Sequence, residues 1–169
     1  MLRASLLNKD IILFRKECSK MSKLRTYNSL FSPFIDHQST IQYTRLCLPF
    51  ILRKRIAQLR IGVLPIRIET DRYLNIKIPS ALRYCKQPNC QNMTNQHLTN
   101  LKVEDEVHFL INCEQYQTLR NTLYSKITTP GFVHFSQFNQ FSFLLTCSTV
   151  AKLVGQYIAD AYDNRPSKM

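Results

Sequence analysis

Cys85, Cys90, His108 and Cys113 are the residues of this chain whose types and spacing together specify a chemistry. Two thiols five positions apart, a long loop, then an imidazole and a third thiol five positions apart can supply four tetrahedral ligands to Zn²⁺. A Cys₃His set fills every coordination position with protein. It leaves no place for a substrate and therefore points to a structural clamp and away from a catalytic metal. The alternative is that these cysteines are unrelated small core residues, a common role for free cysteine.

Several elements must bring the four together. Between Cys85 and Cys90 lie Lys86, Gln87, Pro88 and Asn89, a longer gap than the usual two-residue knuckle, and Pro88 with Asn89 is turn chemistry that can fold it back. Glu104, Asp105 and Glu106 suit the first turn of a helix that carries His108. Residues five apart on an ideal helix are rotated by about 140°, so His108 and Cys113 meet only if the turn distorts or ends near Asn112. His97, in the long loop, is an alternative fourth ligand.

The flanking chain reads as helical. Residues 2–21 form a candidate basic amphipathic helix, and residues 22–47 an irregular arm broken at Pro33. Leu52, Ile56, Leu59 and Val63 repeat at helical spacing, with Arg53, Lys54, Arg55 and Arg60 on the other faces and Gly62 and Pro65 as stop signals. Residues 66–73 alternate in the manner of an extended segment, whose Arg67 and Arg72 either extend the basic face or pair with Glu69 and Asp71. Val107, Leu110, Ile111, Leu119, Leu123 and Ile127 outline one helical face. Ser136 is placed to cap a helix carrying Phe138, Phe141, Leu144 and Leu145, and Ser148 to cap a last one with Val150, Leu153, Val154, Tyr157, Ile158 and Ala161. The expected class is mainly α, with little strand around a small zinc loop, divided into an arm (1–47) and a helical module (48–169).

The 169 residues carry a net charge of +12, and it is uneven. Residues 1–60 have 12 Lys/Arg against 3 Asp/Glu, residues 61–100 have 5 against 2, and residues 101–169 have 6 against 6. A basic half joined to a neutral half suggests a polyanion, nucleic acid before an acidic membrane. Arg53, Lys54, Arg55 and Arg60, with Arg67 and Arg72, are the candidate phosphate contacts. Six cysteines and no secretory signal fit a reducing, intracellular setting, nuclear or cytoplasmic, and no segment is apolar enough to span a bilayer. No enzyme site emerges. Three glycines cannot build a Gly-rich phosphate loop, and nothing orders Cys47 relative to His37 as a thiol–imidazole pair.

Three stretches carry a resemblance: residues 22–27 (SKLRTY), residues 53–73 (RKRIAQLRIGVLPIRIETDRY) and residues 104–113 (EDEVHFLINC). They resemble the C-terminal segment of reverse transcriptases from animal non-LTR retrotransposons, in which an Arg-rich helix and an IET-x-RY segment precede a cysteine pair and an EDE-x-HFL-x-x-C run. The first pair here is Cys-x₄-Cys where that family has Cys-x₂-Cys, and the loop before Glu104 is longer. No Tyr/Phe-x-Asp-Asp motif is present, so the polymerase part is missing. The resemblance implies a non-catalytic, zinc-stabilised module that grips RNA or DNA, with the polymerase part of a parent enzyme as a further partner. The rival expectations are a zinc-held protein-interaction module and a functionless relic of a transposable element.

Overall fold

A computed structural model describes residues 46–92 and 102–165, together with Leu13, Lys16, Glu17, Lys20, Met21 and Thr26. The other residues of 1–45, and with them most of the expected arm (1–47) and its amphipathic helix, lie outside the described residues, as does His97. The described chain is mainly α. Its helices are α1 (Phe50–Arg60), α2 (Arg67–Thr70), α3 (Pro88–Asn92), α4 (Gln117–Ser125), α5 (Gln137–Thr146) and α6 (Ala151–Asp163), with a π-turn at His108–Asn112. Among the described residues the extended pairing is a single antiparallel bridge, Tyr84 with Val103.

Helix α1 buries Leu52, Ile56 and Leu59 at the spacing of its apolar stripe. It stops at Gly62, whose φ of 70° suits glycine, and the Val63 N–H returns to the Gln58 carbonyl in a Schellman closure. Helix α6 packs along α1 and also meets α4 and α5. It buries Ala151, Val154, Tyr157, Ile158 and Ala161, so the last helix is the centre of the core. Ser136 caps α5 as its position suggested, accepting the Asn139 N–H at 3.3 Å. No helix among the described residues is long and apolar enough to cross a membrane.

Four local expectations are corrected. Residues 66–73 are not extended: Thr70 and Asp71 N–H groups return to Ile66 and Arg67 carbonyls, making the single turn α2. The alternation there misleads because Arg67 and Glu69 are buried and do not form a solvent face. The face drawn from Val107 to Ile127 is likewise not one helix, since the π-turn, extended backbone at Cys113 and a 3₁₀ turn at Glu114–Tyr116 interrupt it before α4. Ser148 begins a 3₁₀ turn and makes no side-chain cap. Phe138 is 54 % exposed and lies outside the core.

Gly155 sits where α6 crosses α1. A Cβ at this position would stand 3.0 Å from Leu52 Cβ and 3.1 Å from Ile56 Cδ1. Alanine gains about 1 kcal/mol of helix propensity over glycine, but overpacking typically costs about 1–3 kcal/mol, and Leu52 Cβ cannot move without its helix. Gly155→Ala is therefore expected to lower stability, by about 1 kcal/mol net, in urea unfolding. A stabilised variant would show that the two helices separate freely.

Candidate metal centre

The bridge between Tyr84 and Val103 anchors the first ligand. Cys85 N–H donates to the Lys102 carbonyl and Glu104 N–H to the Arg83 carbonyl, both at 2.9 Å, so Cys85 is buried beside the start of the second ligand segment. Cys90 follows from the four-residue gap by a different route. Its N–H and that of Gln91 return to the Gln87 carbonyl, so the gap closes as the turn of α3 that opens at Pro88. Gln87, fully buried, is the floor of that turn.

His108 and Cys113 meet through the distortion that the five-residue spacing requires. Backbone at Glu106 and Val107 is α-helical, and the helix then widens to a π-turn in which Cys113 N–H donates to the His108 carbonyl at 2.7 Å. An i→i+5 bond brings residue i+5 back over residue i. Asp105 fixes where the turn starts, because its carboxylate accepts the His108 N–H at 2.7 Å as an N-cap. Of the three acids expected at this helix start, Asp105 is the N-cap. Glu104 is fully buried outside the helix, where its carboxylate accepts the N–H of Arg67 at the start of α2 and pairs with Arg165 at 2.7 Å.

The four ligand atoms lie within 4.8 Å of one another. Cys85 and Cys113 Sγ are 3.9 Å apart, Cys90 and Cys113 Sγ 3.4 Å, and Cys90 Sγ and His108 Nε2 3.7 Å. Bond lengths of about 2.3 Å to sulfur and about 2.0 Å to nitrogen give tetrahedral edges of about 3.8 Å and about 3.6 Å. Three of the six ligand–ligand distances lie near these values, and the four residues could hold a metal ion.

Electrostatics fits the same conclusion. The thiols form a donor chain that ends on Cys90. The bond to Cys113 raises the Cys85 thiol, and bonds from Cys113 and Cys85 hold Cys90 well below the ordinary thiol range. Cys113, lowered by its bond from Cys85 but raised by its bond to Cys90 and by burial, is pushed up to about 12. Backbone groups of Glu114 and Gln115 bond to the sulfurs of Cys90 and Cys113, favouring their thiolates. Without a cation the shared hydrogen bonds thus favour the protonated form at Cys85 and the thiolate at Cys90.

Side chains that the sequence reading did not single out hold the ligand turn from behind. Tyr157 of α6 donates its hydroxyl to the Phe109 carbonyl at 3.1 Å, and buried Arg120 of α4 donates to the Cys113 carbonyl at 2.9 Å. Burial raises the Tyr157 hydroxyl above the usual tyrosine range, so it stays a donor. Asp105 had a readable signal in its position three before His108, and Tyr157 in carrying a hydroxyl within an apolar stripe. Arg120 had none.

The six candidate phosphate contacts separate. Arg53 and Lys54 are exposed on α1. Arg55 lies over the Tyr162 ring at 3.9 Å and within 3.7 Å of Asp163, and Arg72 lies 3.5 Å from Glu69. Arg60 and Arg67 are buried and so do not extend an exposed basic face; Arg67 pairs with Asp71, the alternative that the sequence left open for it. No family model, curated protein or solved structure matches this chain.

Metal binding requires thiolates and so must displace protons from the thiols, above all from Cys85, whose thiol its hydrogen bond to Cys113 holds protonated. Protons should be released on zinc uptake at neutral pH, and affinity should rise as pH increases. Calorimetry in buffers of different ionisation enthalpy checks this; uptake without proton release would contradict thiolate ligation.

Proposed function

We propose that this chain is a zinc-stabilised nucleic-acid-binding module without catalytic activity of its own, related to the C-terminal region of a non-LTR retrotransposon reverse transcriptase. The observation that carries it is the ligand set, three sulfurs and one imidazole nitrogen converging within 4.8 Å. Thiolate and imidazole ligands in tetrahedral array favour Zn²⁺ over the hard, oxygen-seeking cations, and a closed set serves folding more than chemistry.

The nucleic-acid part of the reading rests on the net charge of +12, on exposed Arg53 and Lys54, and on the resemblance of the Arg-rich and Cys/His segments. RNA or DNA is the partner class, and the polymerase part of a parent enzyme is a further one. A second reading has its own observation. Tyr73, Leu74, Ile76 and Leu82 are 64 %, 44 %, 83 % and 50 % exposed in one short stretch, as a zinc-held protein-interaction module would present them.

Metal content and binding titrations on one purified sample test both parts. One Zn²⁺ per chain is expected, with affinity for RNA or DNA that falls as salt rises and is lost when a chelator strips the metal. Zinc-loaded protein that binds neither nucleic acid at low salt would favour the protein-interaction reading.

A further inference from the structure

Among the described residues, helix α1 presents two exposed cations beside an aromatic ring. Phe50 is 71 % exposed at the start of the helix, and Arg53 and Lys54 are exposed three and four residues later. On a helix of about 100° per residue these two flank Phe50 on either side, one turn along. The stripe through Phe50 and Lys54 continues to half-buried Ala57 and to Ile61, 39 % exposed. No acidic residue lies in the first turn, and the helix sequence FILRKRIAQLR contains none. The surface is therefore apolar at its centre and positive at its flanks.

That arrangement suits one binding mode better than another. Tracking a duplex takes about six to ten phosphate contacts from a typical protein, and of the four cations on this helix Arg60 is buried while Arg55 is engaged with Tyr162 and Asp163. Two cations around an exposed ring instead match the parts of a single-strand site, in which bases stack on an aromatic face and neighbouring charges hold the backbone. A duplex offers its bases only as groove edges. A single strand offers their faces.

Resting on the nucleic-acid reading above, we propose that Phe50, flanked by Arg53 and Lys54, is a base-stacking platform that makes this module a binder of single-stranded nucleic acid. Phe50 supplies the face for a base, and the two cations meet the phosphates on either side of it.

The test is fluorescence anisotropy of the full zinc-loaded chain with a labelled oligothymidylate and with a random-sequence duplex of equal length, over a range of salt. The single strand should bind more tightly. Phe50→Ala should weaken its binding by about 5- to 150-fold, the range of one stacked base, while the log-affinity against log-salt slope stays unchanged. Phe50→Tyr should retain binding, and Phe50→Leu, apolar but not aromatic, should not. Replacing Arg53 and Lys54 with Gln should instead make the slope shallower by about 1.4, two contacts at about 0.7 each. Circular dichroism confirms that each variant is folded, as substitutions at these exposed positions should allow. Tighter binding to the duplex, or single-strand binding indifferent to Phe50→Ala, would overturn the platform and leave the nucleic-acid reading standing. Absence of binding to either probe would overturn both.

Discussion

Three thiols and an imidazole crowded around one point are mutually unfavourable until a cation occupies it. Without metal the thiols relieve this by staying protonated and sharing hydrogen bonds, which raise the Cys85 thiol and lower that of Cys90. A metal ion bound there would replace thiol protons and turn the cluster into a cross-link between α3, the bridge at Tyr84 and the π-turn. Among the described residues the regular structure of the ligand segments is slight, one bridge, the single turn α3 and the π-turn.

The metal site reaches the core through a few buried polar contacts. Tyr157 ties the π-turn to α6, Arg120 ties Cys113 to α4, and Glu104 joins the ligand segment to α2 and to Arg165 beyond α6. Because α6 packs on α1, the helix that carries Arg53 and Lys54 rests on the same framework. Removing one partner of a buried ion pair such as Glu104 and Arg165 typically costs about 3–5 kcal/mol. Burial alone would raise the Glu104 carboxyl, and Arg165 opposes that shift.

The ligand tetrad was legible because thiols and imidazoles at such spacing have few other uses, and the need for a distorted turn followed from helix geometry alone. The stripes of α1 and α6 were legible from their period. Charge was harder to read. A sequence counts cations without showing which are consumed internally, and Arg60 and Arg67 are buried despite sitting in a basic run. The residues 66–73 failed for a related reason, because alternation of apolar and charged residues implies an extended half-exposed segment only if the charges face water. Arg120 and Arg165 carried no local signal, and Arg165 meets Glu104 from 61 residues along the chain.

The most direct measurement of the central claim is X-ray absorption at the zinc edge of the purified chain. The expected spectrum fits three sulfurs at about 2.3 Å and one nitrogen at about 2.0–2.1 Å, with one zinc per chain. A first shell of oxygen and nitrogen, or protein that folds fully with no bound metal, would contradict the assignment of Cys85, Cys90, His108 and Cys113 as a structural zinc site.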